Sequence, residues 1–404
     1  MDLKSGYPYW AVKNGLLAAF PALAQDRRCD VAIVGAGITG ALIANELTAH
    51  GHHVVVLDQR DVGWGSSSAS TALIQYEIDT HMVDLAKRYG EADAVLAYRA
   101  CADAIGELER VAGEVRDVAF RRQHSLYYAS KPAHRVALRA ELDLRAAHGF
   151  DVKWLEPGEL RERFGVTAPA AIWSALAASL DPYRMAYRVL GAVRRAGGEV
   201  FDRTKVTGFT ATDRGVEVRV GRELRVHAKH LVLAGGYANE KWLEQRVARN
   251  HSSYAFVTDP IDRATLGPLA RTLVWESARP YLYMRTTADL RLLIGGEDDD
   301  VDEPARRDAR VDRKAQRLRT KVARQFPHLD LTPTFAWAGT FAETRDGLPF
   351  FGAHRELHPR VKLAMAYGGN GISYSMIGAG ILRALIERKA HPLASLFSFA
   401  RLER

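Results

Sequence analysis

The sequence predicts an α/β fold, a Rossmann-type domain with an interleaved α+β domain, and three observations carry that prediction. Residues 30–47 read as a β-branched run, a glycine turn and a helical pattern, and Val54 to Leu57 supplies the next strand. Two later apolar runs, at 230–236 and 361–368, again end in glycines. Helical periodicity recurs between such runs. Short apolar runs separated in this way mark parallel strands buried on both faces.

Taken in order, the segment from Lys13 to Gln25 joins a charge, a short apolar run and a small-residue end, as secretory signals do. Pro21 breaks the run and a strand starts almost at once, so the segment reads as part of the folded chain. Residues 80–115 place Leu85, Tyr89, Leu96, Ala100, Ile105 and Leu108 on apolar stripes, which predicts two helices. A strand near 125–129 and a helix near 133–148 follow. The next helix opens with Asp181 as N-cap and Pro182 at its first position. Strand-like segments at 200–209, 216–220 and 224–226 lead into the run at 230–236. Residues 254–296 are strand-rich, and 361–388 return to strand, glycine loop and helix. No internal repeat or low-complexity linker interrupts the chain.

With 404 residues, 47% hydrophobic and 26% charged, the chain supplies more than one core, which excludes disorder, fibres and small disulfide scaffolds. Cys29 and Cys101 are too few for a disulfide framework or a cysteine zinc site, so a reducing, cytoplasmic setting is expected. No stretch approaches the roughly 20 apolar residues of a membrane span, and no transmembrane segment is expected. The net charge of +8 asks whether an anionic partner exists. Residues 297–303 carry six acids while 306–324 carry nine bases and two acids, so the interval nets only +1. Val311, Ala315, Leu318 and Val322 recur at helical spacing there, so the bases read as solvated faces of an amphipathic helix. No nucleic-acid-binding module is visible and no nucleic-acid partner is expected. The fourteen histidines, His81 among them, show no ligand spacing, so no metal is expected. Nucleophile elbows and phosphate-binding loops of the nucleotide-triphosphatase kind are also missing.

Gly35, Ala36, Gly37, Ile38, Thr39 and Gly40 form a GxGxxG sextet between strand and helix, and Asp58 ends the following strand. That context defines a dinucleotide fingerprint. Gly35 permits the tight turn, Gly37 lets the backbone approach a pyrophosphate, and Gly40 lets the helix pack on the strand. The helix N-terminus offers N–H groups and a positive dipole end to phosphates. Asp58 is placed to accept from ribose hydroxyls and to repel a 2′-phosphate, with Gln59 and Arg60 beside it. Beyond it, the small hydroxyl-bearing residues from Gly63 to Thr71, with Ala72 after them, follow the exit of a Rossmann strand, where ligands bind. Gly65, Ser66, Ser67, Ser70, Thr71 and Ala72 are therefore candidate contacts.

The sequence now resembles a family. The glycine sextet, Ala44, Asp58 and the hydroxyl-rich loop look like the FAD-binding start of the D-amino-acid oxidase and sarcosine oxidase family. Residues 337–340 and 344–349, then Gly368, Gly369, Asn370, Gly371 and Ile372 ahead of a helix, match that family's second flavin-binding region in order and spacing. The run ending in Ala234 and Gly235 resembles its strand near the flavin. Residues 7–10, Tyr283-Met284-Arg285 and the run after them give the closest look to the γ-glutamylputrescine-oxidoreductase-like branch. The resemblance implies a glutathione-reductase-like FAD-binding domain with an interleaved substrate domain, and adds Val206, Gly339, Asp346, Gly347 and Leu348 to the expected cofactor contacts. It also implies that the helix from Gly371 points its N-terminus at the flavin and stabilises the reduced anion.

Three departures qualify what the resemblance implies. Sarcosine oxidases attach the flavin through a cysteine in the segment corresponding to 337–344, which has none here, so noncovalent FAD is expected. Their oxygen-activating lysine corresponds to the segment 290–295, which reads Leu-Arg-Leu-Leu-Ile-Gly. The electron acceptor is therefore left as O2, a quinone or a carrier protein. Asn370 replaces the histidine common in the glycine turn.

Flavin amine oxidation needs positioning more than acid–base groups. Arg285 is the expected anchor for a substrate carboxylate, since its planar fork suits one. Tyr283 alternates with it on one strand face, and Tyr254 and Tyr76 are further candidates. The expected FAD domain comprises 1–80, 150–245 and 335–404, and the expected substrate domain 81–149 and 246–334. The expected function is oxidation of a small-molecule amine or amino acid at a C–N bond. The alternatives are a hydroxy-acid or polyol dehydrogenase and, in another class, a nucleic-acid-associated or noncatalytic partner-dependent flavoprotein.

Overall fold

The computed structural model describes residues 2–301 and 303–403. Two sheets organise them. The first runs in the order Phe350–Gly352, Val361–Met365, Leu224–Leu233, Arg27–Val34, Val54–Leu57 and Glu199–Phe201. The five strands from Val361–Met365 onward are mutually parallel. A hairpin of Val206–Thr212 and Gly215–Val220 pairs onto Leu224–Leu233. Val54, Val55, Val56 and Leu57 are all fully buried, as a strand covered on both faces requires.

One face carries the helices Ile38–Ala49, Pro182–Arg195 and Gly371–Ile386, which pack on one another. Gly371–Ile386 is buried nearly all round, which accounts for its weakly one-sided sequence. Asp181 caps Pro182–Arg195 by accepting from the Tyr183 and Arg184 N–H groups at 3.1 and 2.9 Å, a cap worth about 1 kcal/mol.

The second sheet is ordered Phe335–Glu343, Arg249–Pro260, Arg291–Asp299, Leu282–Thr286, Thr272–Glu276, Arg121–Tyr128, Ala171–Ser179 and Leu73–Gln75, with Val152–Leu155 also on Ala171–Ser179. The helix Val311–Gln325 buries Ala315, Leu318 and Val322 in a core shared with Phe256 and Ile294. The acidic and basic blocks meet here. Lys314 lies 3.2 Å from Asp299, Lys321 2.5 Å from Glu297 and Arg310 2.8 Å from Asp299. Even the buried Glu297 is held below the usual carboxylate range by Lys321 and its neighbours.

Some elements differ from expectation. The predicted strand at 200–209 is two, because Arg203 takes a positive φ of 46° and Thr204 N–H turns to the Asp58 carbonyl at 2.6 Å. The segments at 224–226 and 230–236 share the single strand Leu224–Leu233, whose polar residues at 227 and 229 hid its continuity. Leu73–Gln75, Val152–Leu155, Ala171–Ser179 and Phe335–Glu343, which the expected boundaries give to the first domain, pair within the second sheet. The chain therefore crosses between the sheets several times, and a cleft opens where it does.

Residues 3–5 lie along the edge strand of the second sheet. Lys4 bridges to Gly339, Ser5 N–H donates to Ala338 O, and Thr340 N–H donates to Leu3 O at 2.9 Å. Among the described residues, no helix is long and apolar enough to cross a membrane.

Candidate functional site

The cleft between the sheets has a volume of about 310 Å³, within the range of ligand pockets. One end is built by the first sheet. The Arg27–Val34 strand delivers Gly35 at a positive φ of 116°, where an added Cβ would lie 2.3 Å from the Ala234 carbonyl oxygen. A Cβ on Gly40 would stand 1.9 Å from Gly35 O, so the helix can sit on the strand only with glycine there. Gly37, the N-cap of Ile38–Ala49, receives no side-chain cap. The Ile38 N–H donates to Ser67 Oγ at 2.9 Å, which draws the hydroxyl loop over that helix end.

Asp58 is fixed by two N–H donors, Ala36 at 2.7 Å and Arg60 at 2.9 Å. Burial raises its pKa, while those N–H groups pull the other way. A carboxylate has about four acceptor positions, so two remain for a ligand. The loop of 65–72 is pinned from behind. Trp10 Nε1 donates to Ser70 O at 2.8 Å and Trp337 Nε1 to Ala69 O at 2.9 Å. Helix N-terminus, glycine cradle and aligned carboxylate together fit a dinucleotide.

The other end is built where the second sheet meets the 368–373 loop. The Gly369 N–H donates to Asp79 Oδ2 at 2.9 Å, and Asn370 Nδ2 donates to Gln75 O at 3.1 Å and Glu77 O at 3.0 Å. The residue that replaces the family's histidine thus clamps this loop to the chain after Leu73–Gln75. The helix that follows, Gly371–Ile386, also lacks a side-chain cap. Tyr283 lies over Gly295, where a Cβ would come within 2.4 Å of its ring, and its hydroxyl meets Ser253 Oγ at 3.0 Å. Burial raises the Tyr283 pKa.

Most expected cofactor residues line the cleft: 35, 37–39, 58–60, 65–67, 70–72, Val206, Ala234, Gly235, Gly339 and 368–372. Ala36, Gly40, Asp346, Gly347 and Leu348 stand behind that wall. Gly347 O accepts from Tyr374 OH at 2.7 Å, and Asp346 Oδ1 accepts from Leu348 N–H at 3.1 Å, so this turn braces the loop. Neither Cys29 nor Cys101 is among the lining residues.

The structure separates the expected substrate residues. Tyr283 lines the cleft, but Arg285 does not. Its strand runs past the end of the cleft, so the residue two places on, though on the same face, lies beneath the hydroxyl loop. There it donates to Thr71 O at 2.6 Å and Leu180 O at 2.9 Å, and it borders a separate small cavity with Trp10 and Asp181. Burial lowers its pKa to about 10. Arg285 thus braces the loop and stands outside the cleft wall where a substrate carboxylate was expected to meet it. Tyr254 contributes to the cleft wall, but its ring belongs to the second sheet's outer core and its hydroxyl reaches Asp299 at 3.3 Å. Tyr76 stacks on Phe150 and bonds Ser174 at 3.0 Å.

Sequence reasoning missed Glu77, Asp79, Ser253, Trp275, Tyr281 and Asp298, all on the cleft wall. Glu77 and Asp79 sit in an otherwise apolar strand exit, which is a usable signal. Asp298 was hidden in an acidic block that reads as counter-charge for the basic helix.

A parallel sheet with a glycine cradle, a carboxylate at the next strand end and a cleft walled by a second sheet defines a two-sheet dinucleotide-dependent oxidoreductase. The chain belongs to the DAO family of FAD-dependent oxidoreductases, whose model matches residues 30–385. It is 27% identical over 397 residues to γ-glutamylputrescine oxidoreductase of Escherichia coli K12, covering 95% of this chain and 89% of that protein. Glycine oxidase of Geobacillus kaustophilus is 26% identical over 373 residues, covering 90% and 94%. The crystal structure of a glycine oxidase from G. kaustophilus superposes with a TM-score of 0.77 at 21% identity, covering 93% and 99%. L-Proline dehydrogenase of P. horikoshii gives 0.77 at 18%, covering 95% and 99%. The protein is thus an FAD-dependent oxidoreductase.

Proposed function

We propose that the chain oxidises a carbon–nitrogen bond of a small amine or amino acid, whose imine product is then hydrolysed. The cofactor end is assigned to the first sheet and the substrate end to the second. The observation that carries this is the single cleft with a dinucleotide cradle at one end and a compact wall of Tyr283, Tyr281 and Trp275 at the other. FAD, held noncovalently by the cradle, Asp58 and the hydroxyl loop, supplies the hydride acceptor. The chain's own residues bind and orient the amine, and the aromatic wall keeps water from it. The 290–295 segment lacks a lysine, so electrons pass to a quinone or carrier protein in preference to O2.

Anaerobic mixing with amines, amino acids and hydroxy acids tests the reading. Bleaching of the flavin by an amine or amino acid, with release of ammonia or a primary amine, is expected. Bleaching by hydroxy acids alone would overturn it. Reoxidation on admitting air should be slow.

A further inference from the structure

Asp298 reaches the cleft through a fault in its strand. Gly295 lies under the Tyr283 ring on the cleft side, and strict alternation along Arg291–Asp299 would turn Glu297 to that side next. The pairing breaks first. Tyr254 pairs with Gly296 and Ser252 with Asp299, so Ser253 alone stands opposite both Glu297 and Asp298. Glu297 takes a positive φ of 55°, which is uncommon for a residue with a side chain. The bulge sends Glu297 outward to Lys314 and Lys321 and puts Asp298 on the cleft wall.

There it ends a chain of hydroxyls. Ser253 holds the Asp298 carboxyl by a side-chain hydrogen bond, and its Oγ lies 3.0 Å from the Tyr283 hydroxyl. Tyr283 is bonded in turn by the Thr71 side chain. All four residues line the cleft, and Thr71 belongs to the hydroxyl loop at the cofactor end. A hydroxyl both donates and accepts, so the donors can run toward an ionised Asp298 or, once it is protonated, away from it.

The other carboxylates at this end are committed elsewhere. Glu77 pairs with the buried Arg145 at 3.9 Å, and Asp79 accepts from the Gly369 N–H at 2.9 Å. Asp298 is held by a neutral hydroxyl, which leaves a carboxylate more basic than a paired cation does. The charged groups facing it are Asp79, Glu343 and Arg279. Burial and the two acids outweigh Ser253 and Arg279 and push its carboxyl up to about 7.

We propose that Asp298 is the proton acceptor of the reaction, taking the proton that an ammonium substrate must lose before its carbon–nitrogen bond is oxidised, with Ser253 and Tyr283 as its positioning residues. An N–H bond breaks and a carboxyl O–H bond forms. The electron pair stays on nitrogen, free to enter the carbon–nitrogen double bond, and nothing is oxidised or reduced in this step. The proton passes to water when product leaves. The inference rests on the amine-oxidation reading above and adds a residue's role to it.

The test mixes the FAD-loaded protein anaerobically with low concentrations of glycine, sarcosine and butylamine from pH 6 to pH 9 and follows flavin bleaching. With the probe that reacts, the second-order rate should rise through a midpoint near pH 7. Asp298→Asn should lower it about a hundredfold at pH 7, and the rate should then climb about tenfold per pH unit, because only amine already neutral in solution reacts. Asp298→Glu should restore part of the loss. Calorimetry of the photoreduced, FAD-loaded protein at pH 8, in buffers of different ionisation enthalpy, counts protons without turnover. Binding of the same probe should release none from the unaltered protein and about one from Asp298→Asn. Ser253→Ala keeps the carboxylate and removes its donor, so the midpoint should move to higher pH; this variant decides the matter if Asp298→Asn does not fold. An unmoved profile in Ser253→Ala, or a rate within a few-fold of the unaltered protein's at pH 7 in Asp298→Asn, would overturn the inference and leave the amine-oxidation reading standing. Bleaching by hydroxy acids only would sink both.

Discussion

Arg401 Nε donates to Asp346 Oδ2 at 2.6 Å, and both side chains are buried. Arg401 also donates to the carbonyls of Leu348 and Pro349, at 2.9 and 3.0 Å. The turn that family resemblance assigns to the flavin is thus held from behind by an ion pair. Its charge pulls Asp346 below the usual carboxylate range in spite of burial.

Arg401→Ala should be strongly destabilising, because it leaves the Asp346 charge buried without its main partner. A loss of about 3–5 kcal/mol is expected from urea denaturation of the loaded protein. Asp346→Ala alone should cost a similar amount.

Gly40→Ala should abolish FAD retention, since its Cβ would lie 1.9 Å from Gly35 O. Gly106→Ala provides the contrast. It sits inside the helix Glu91–Val115 with nothing within 4 Å of an added Cβ, and should gain about 0.5–1 kcal/mol. Flavin absorbance per protein and a melting curve read the two effects.

Arg285→Met should lower stability by about 2 kcal/mol through the stranded carbonyls of Thr71 and Leu180, and should loosen FAD. The ratio of kcat/KM between amines with and without a carboxylate should not move. A selective loss on the carboxylate-bearing substrates would restore Arg285 as a substrate anchor.

The Asp298 carboxyl, raised to about 7 by burial and by Asp79 and opposed by Ser253 and Arg279, sets a pH dependence. Its proton is held more tightly folded than unfolded, where the value is near 3.8. Without ligand, stability is therefore lost as pH rises from about 4 through 7. The melting temperature of the flavin-loaded protein should fall between pH 5 and pH 8, and Asp298→Asn should flatten that fall.

The cofactor end was legible in the sequence because it is made of local backbone: Gly35, Gly37, Gly40 and Asp58 act through turn geometry and strand order that spacing reveals. The substrate end was not, because Glu77 and Asp298 come from distant segments that only sheet pairing brings to one cleft. Arg285 shows the same limit. Alternation gave its strand face correctly, but where the cleft stops along that face depends on the hydroxyl loop above it. The strand at 200–209 failed for a related reason, a turn set by the Asp58 carbonyl.

The pairing of residues 3–5 with Phe335–Glu343 places Leu3 on the cleft wall. Part of the boundary around the cofactor is therefore a strap that the buried Arg307 ties down from outside the cleft, donating to the carbonyls of Asp2 and Lys4 at 2.9 and 2.6 Å. A change at Arg307 would thus reach the cofactor through its wall, with the glycine cradle left intact.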